Sequence, residues 1–218
     1  MRVRVRYLVL LVLTVGLAGC SAASSAAPRT SATPASPSAK AASSSVTPSA
    51  ATSRGPLGVL PVPAGSTPWT ANTNALMSRT AFVQKFYIQS AWSNEEGQYL
   101  RRGFVSAVMQ GWINENGSQQ DITIARFATA AGAVSAYDDL TDSYRQKAKP
   151  VTLVSDPAVG GVGFIDPTLD KLGNAQAEIA AHIGDYMIRV QEFTAVTPDP
   201  THAKELMLAQ YDALKNVA

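Results

Sequence analysis

Thiol, imidazole and carboxylate chemistry each need particular side chains at particular spacings. In this chain of 218 residues the supply is thin. There is one cysteine, Cys20, near the start, and there are two histidines, His182 and His202. One histidine falls beside a predicted hairpin turn and the other in the first turn of a predicted helix. A metal site needs His, Cys or carboxylate ligands clustered at ligand spacing, and these two have no such neighbours. Neither a metal nor another cofactor is therefore expected. No G-x-S-x-G is present to raise a serine on a strained elbow, and no catalytic residue can be assigned.

The most unusual stretch is "SDPAVGGVGFIDPTLDKLGN", residues 155–174, in which two Asp-Pro pairs bracket Gly160, Gly161 and Gly163. A phosphate loop would follow its glycines with Lys-Ser/Thr, where Phe164-Ile165 stand. A calcium loop would place acids at alternate positions, whereas Asp156, Asp166 and Asp170 lie ten and four apart. The stretch reads as a long surface connection, with a lip over a site as its functional alternative. Asp166 and Asp170 are accordingly candidate ligand contacts. Arg101 and Arg102, preceded by Glu95 and Glu96, are the other candidates, although charges beside a turn are ordinarily solvated. Asp138, Asp139 and Asp142 share one helical arc and read as a solvated acidic face. Trp92 and Trp112 read as core aromatics rather than a ligand platform.

Cys20 gains meaning from what precedes it. "MRVRVR" carries three arginines and no acid, and "YLVLLVLTVGLAG" follows as an apolar run ending in small residues. That is the layout of a secretory signal peptide over residues 1–19. The run is too short for a spanning helix, which needs about 20 apolar residues. The residues Leu17-Ala18-Gly19-Cys20 resemble a bacterial lipobox. The resemblance implies cleavage between Gly19 and Cys20, a diacylglyceryl group on the Cys20 sulfur, and an acylated N-terminus with palmitate among its chains. It also implies a protein anchored to the cell membrane on the extracytoplasmic face. With Cys20 carrying lipid, no thiol remains for a disulfide, a metal or a nucleophile.

Residues 20–56 form the next unit. After Cys20 they consist almost wholly of Ala, Ser, Thr and Pro, with Val46 as the one large apolar side chain. Such a segment cannot bury enough surface to offset its ordering entropy and reads as a disordered tether. A flexible coil of this length spans roughly 30–36 Å, and Ser/Thr beside Pro suits O-glycosylation. Its composition resembles that of secreted lipoproteins of high-GC actinobacteria. The formal charge of +2 conceals an asymmetry. Arg2, Arg4, Arg6, Arg29, Lys40 and Arg54 all precede residue 57, while all 16 acids follow it. The remainder is therefore net acidic and carries no electrostatic footprint for nucleic acid.

The elements that must position any site lie in residues 57–218, one domain by length. "LGVLPVPAGSTPWTA" reads as an extended strap whose Trp69 packs on the body. A helix is expected from Asn74 to about Ile88, broken by "SNEEG". "GFVSAVMQGWINENGSQQDITIARF" reads as a hairpin about Asn116-Gly117 in a type I′ turn. Within it, Ile122, Ile124 and Arg126 share one face and Thr123, Ala125 and Phe127 the other. Ala133, Tyr137, Leu140 and Tyr144 then mark an amphipathic helix. After a short strand at "VTLV", "AEIAAHIGDYMIRVQEF" forms a second hairpin about Gly184-Asp185. A helix follows, with Asp199 at its cap and Pro200 at its first position.

The fold class expected is α+β: an antiparallel sheet of two ββα units with helices packed mainly on one face. In this scheme the two long helices lie side by side, and Phe127 and Phe193 are both buried near helix starts. The order resembles the PsbP/Mog1-like folds of some secreted lipoproteins. The function expected is a non-enzymatic, lipid-anchored binding or interaction module of the cell envelope. Its partners would be the membrane, through the lipid, and an envelope protein or small ligand. The alternative is a hydrolase or transferase acting on wall material through dispersed carboxylates. Two acids converging with raised pKa would mark that alternative.

Overall fold

Alternation in "DITIARF" builds a strand with two apolar faces, so both sides of the sheet it joins need cover. The computed structural model describes residues 55–69, 74–147 and 151–215. The signal segment, Gly19, Cys20 and the tether through Arg54 lie outside the described residues, as do residues 70–73, 148–150 and 216–218. The strands are β1 (Thr67–Pro68), β2 (Phe104–Ile113), β3 (Gln119–Phe127), β4 (Thr152–Asp156), β5 (Gly161–Asp166), β6 (Ala175–Ile183) and β7 (Tyr186–Thr194). They form one antiparallel sheet in the order β1-β2-β3-β7-β6-β5-β4. The helices are α1 (Arg79–Phe86), α2 (Trp92–Arg101), α3 (Ala130–Arg145) and α4 (Pro200–Lys215).

The two hairpins are adjacent, through β3 and β7, in one continuous sheet. Their turns differ in chemistry. Gly184 has φ of +53° and Asp185 does not adopt positive φ, which makes a two-residue turn with glycine at its first central position. In the first hairpin only Gly117 has positive φ, at +81°, and its N–H donates to the Asn114 carbonyl oxygen at 2.9 Å. The expected type I′ turn is thus a longer loop closed by a left-handed glycine. The Asn116 side-chain oxygen holds that loop by accepting from the Ser118 N–H at 2.9 Å.

Three helices lie on one face of the sheet. Phe82 and Val83 of α1, Tyr99 of α2 and Ala133, Ala136, Tyr137 and Tyr144 of α3 pack with Ala107, Ala125, Phe127, Phe164 and Met187. On the other face Ala203, Met207 and Leu214 of α4 pack with Val108, Trp112, Ile122, Ile124, Ile179, Ile188 and Val190. Leu57, Val59, Leu60 and Val62 of the strap join this second cluster. Gln210, fully buried on α4, ties the strap down: its oxygen accepts from the Leu60 N–H at 2.9 Å and its amide donates to the Gly58 oxygen at 3.1 Å. The two long helices are therefore on opposite faces, not side by side. The reason lies in β7, where Ile188 and Val190 need cover on one side and Met187 on the other. Phe127 is buried as expected, but Phe193 is half-buried and faces away from α4.

Two further expectations fail for physical reasons. "SNEEG" does not break a helix but lies within α2, because α1 has already ended at Phe86 and Trp92 restarts the chain, its indole N–H donating to the Tyr87 carbonyl at 2.8 Å. Residues 155–174 are not one long connection, since β5 runs through them. Its glycines are sheet residues: a Cβ on Gly163 would strike the Glu178 carbonyl oxygen and approach the Ile179 Cα to 2.9 Å. Only a residue without a side chain lets β5 lie that close to β6.

Candidate functional site

Cross-strand register sorts the residues of the face under α1, α2 and α3 into rows. At the end near the α3 N-terminus the row is Ala107, Ala125 and Met187, with His182 next in register. The next contains Met109, Thr123, Arg189 and Ala180. Beyond it lie Gly111, Asp121, Gln191, Glu178 and Phe164, and then Gln119, Phe193, Gln176 and Asp166. The face thus turns from apolar to polar along the strands, within the covered part of the molecule.

At the centre of the polar half, Arg189 grips Glu178 with two hydrogen bonds, Nε to Oε1 and Nη2 to Oε2, both 2.7 Å. Arg189 is 5% exposed and Glu178 1%. Burial alone would lower the guanidinium pKa, but the Glu178 charge and hydrogen bonds outweigh it and hold Arg189 firmly protonated. The Tyr144 hydroxyl donates to Glu178 at 2.6 Å, and burial first, then the Glu178 charge, pushes the tyrosine pKa well up. Gln176 and Gln191 donate to the other Glu178 oxygen at 3.0 and 3.1 Å. The Phe86 ring lies 5.4 Å from the Arg189 guanidinium, and Lys147 stands 3.4 Å over the Phe164 ring.

Asp121 is a different case. It is 2% exposed, accepts one hydrogen bond, from Gln119 at 2.9 Å, and leaves Oδ1 without a partner. Burial raises its pKa to about 7, against smaller opposing contributions from the Gln119 hydrogen bond, Arg189 and Lys85. Gly111 makes room for it: a Cβ there would strike Asp121 Oδ1 and come within 3.2 Å of the Trp69 ring. Two residues on, the buried Thr123 hydroxyl also lacks a partner. An unmet buried polar group costs about 1–3 kcal/mol, and here two fall together.

The candidates proposed from sequence are scattered. Asp166 stands on the outermost polar row, paired in register with Gln176, and its carboxylate accepts from the Thr168 N–H at 2.9 Å. Asp170 organises its own loop, accepting from Leu172 and Asn174 N–H groups at 2.7 and 3.0 Å. Arg101 and Arg102 lie at the opposite end of the sheet, beyond the start of β2. Arg101 is exposed, while Arg102 forms an ion pair with Asp139 at 3.0 Å and lies over the Tyr99 ring. A shallow cleft of about 420 Å³ near that end is lined by Arg79, Ser93, Glu96, Gly97 and Leu100. His182 packs edge-on against Tyr137, and His202 is exposed, 3.4 Å from Glu192. Trp112 is buried core and Trp92 is half-buried.

Sequence reasoning missed Asp121, Thr123, Glu178, Arg189 and Gln191. The available signal was that Asp121 and Thr123 share parity with Ala125 and Phe127, so they must lie on a covered face. Among the described residues, no group of three His, Cys, Asp or Glu side chains is placed to hold a metal ion. No helix among them is long and apolar enough to cross a membrane.

No protein-family model matches the chain, and no curated protein matches its sequence. Among solved structures, it is similar to the extracellular domain of PknH from Mycobacterium tuberculosis. That likeness has a TM-score of 0.46 and 11% identity, and covers 71% of this chain and 86% of that one.

Proposed function

We propose that the protein is a lipid-anchored binding module on the extracytoplasmic face of the cell membrane, which takes a small polar ligand on the polar half of its sheet. The anchor rests on Leu17-Ala18-Gly19-Cys20 behind an apolar signal, and the reach on the tether that follows. Binding is carried by one observation: Asp121 Oδ1 and the Thr123 hydroxyl are buried, adjacent on one face and unpartnered. A chain that needed only to fold would fill these positions with apolar residues, as it does with Ile122 and Ile124 on the reverse side. The hydrolase or transferase alternative needs two acids converging. The two acids whose pKa burial raises, Asp121 and Glu192, face opposite sides of the sheet.

Native mass spectrometry of the full chain recovered from bacterial envelopes tests this reading. A small molecule retained by the natural chain and lost from Asp121→Ala or Thr123→Val is the expected result. An unliganded chain, or equal retention by all three, would overturn it.

A further inference from the structure

Resting on that reading, we infer that the ligand is a neutral polyhydroxylated molecule, a sugar ring, held by its hydroxyl groups against the polar floor and by its apolar face against the bordering aromatics. The first argument is hydrogen-bond polarity. An amide that faces a carboxylate must present its N–H₂ there, which settles the orientation of three glutamines. Gln119 turns its amide N–H onto Asp121, and Gln176 and Gln191 turn theirs onto Glu178. Among the described residues, no hydrogen bond reaches the three side-chain oxygens they leave. With Asp121 Oδ1 and the Thr123 hydroxyl, which are buried, the same face of β3, β6 and β7 carries five oxygens that take no donor from the described protein. A ligand rich in O–H groups supplies donors to carbonyl and carboxylate oxygens, and its own oxygens also accept from Thr123.

The second argument is charge. Asp121, Glu178 and Asp166 are offset by Arg189, Lys147 and Lys85, with Glu178 and Arg189 already satisfied by each other. A floor so balanced has no net field to favour a phosphate, a carboxylate or an ammonium. The third argument is shape. Phe193 stands on the outermost row between Gln119 and Gln176, and Trp69 leans over Gly111 beside Asp121. Both are half-buried, so each has ring surface to offer the C–H face of a sugar. Trp69 is held at the sheet edge next to the two-residue strand β1, its N–H donating to the Gly111 carbonyl at 2.9 Å. Asp121 is 2% exposed, so binding requires side chains at this edge, Trp69 among them, to move aside.

Saturation-transfer NMR on the full chain in detergent tests the inference. The probes are glucose, galactose, mannose, arabinose and N-acetylglucosamine, with choline and an alanine dipeptide amide as competitors of other chemistry. At least one sugar should bind saturably in the millimolar range. Its affinity should fall about tenfold or more in Asp121→Ala, the equivalent of losing one hydrogen bond to a charged or strongly polar group. Arg101→Ala should leave it unchanged. Gln119→Ala, at a half-buried position, is the second variant, expected to weaken binding even where Asp121→Ala does not fold. Absence of sugar binding, or sugar binding indifferent to both site variants, would overturn the inference. If choline or the dipeptide amide binds instead and depends on Asp121, the site reading stands and the sugar assignment fails. If no probe binds and the chain from envelopes carries no ligand, both fail.

Discussion

The two faces of the sheet are built from the same four central strands and yet obey different rules. The face under α4 and the strap is lined along β3, β6 and β7 by Ile122, Ile124, Ile179, Ile188 and Val190, fully buried. Its polar residues include Gln110 and Gln210, both buried, Glu192 at one end beside His202 and Arg126 at the other end, paired with Asp185. The face under α1, α2 and α3 has an equally apolar half around Phe127 and a second half of Asp121, Thr123, Arg189, Gln191 and Glu178. The centre of the α4 face is held by apolar packing. The polar half therefore costs stability that the fold did not have to give up. Residues retained at such a cost are where function is to be sought.

The sharpest way to break the comparison is to remove one partner of the buried pair. Arg189→Ala leaves Glu178 charged, buried and unneutralised, and should destabilise by about 3–5 kcal/mol in chemical denaturation. A loss below about 1 kcal/mol would show that Glu178 is hydrated and that this half of the face is open solvent. Next come the two phenylalanines that end β3 and precede the end of β7. Phe127→Ala, in the apolar half, should cost about 3–5 kcal/mol. Phe193→Ala, on the polar rim, should cost no more than about half as much because the side chain is only partly buried. Equal losses would erase the distinction between the halves. Smaller again is the strap. Gln210→Leu keeps an apolar body but strands the Leu60 N–H and the Gly58 carbonyl, at a cost of about 1–3 kcal/mol. In limited proteolysis it should release the strap before the body unfolds, whereas release only on global unfolding would show that the apolar strap residues suffice.

Much of this architecture could be read from residues in sequence because the deciding chemistry was local. Gly184-Asp185 and Asn116-Gly117 announced turns, and Asp199-Pro200 announced a helix start, where the Asp199 carboxylate indeed accepts from the Thr201 N–H at 2.9 Å. Two elements misled for the same reason in opposite directions. Asn94 and Gly97 suggested a break, but Tyr99 buries one side of α2 against Phe82 and Phe104 and tertiary packing overrides their weak propensities. Gly161 and Gly163 suggested a loop, but they are needed where β5 closes on β6. The placement of α4 was not legible, because an alternating strand says that two faces exist and not which helix covers which. The site was hidden for a deeper reason. Asp121, Glu178 and Arg189 come from three strands, and each reads in its own sequence as the ordinary solvent side of an amphipathic strand. Only the register that aligns Asp121, Gln191 and Glu178, beneath helices rather than water, shows them to be buried.

The most direct test of the claim that the polar half is kept for a ligand and not for stability is the pH dependence of unfolding of Asp121→Asn against the natural chain. In the folded protein the Asp121 pKa is about 7, against 3.8 in an ordinary carboxylate. Between those values the folded state binds more protons than the unfolded state, so stability falls as pH rises through that window. From pH 5 to pH 8 Asp121 should cost the natural chain about 2–3 kcal/mol that the asparagine variant does not lose. Contributions from Glu192, whose pKa is also raised by burial, are common to both chains and cancel in the difference. The account predicts that Asp121→Asn is the more stable protein at pH 8 and that its advantage shrinks toward pH 5. An asparagine variant less stable than the natural chain at pH 8 would contradict it, by showing that the Asp121 charge supports the fold.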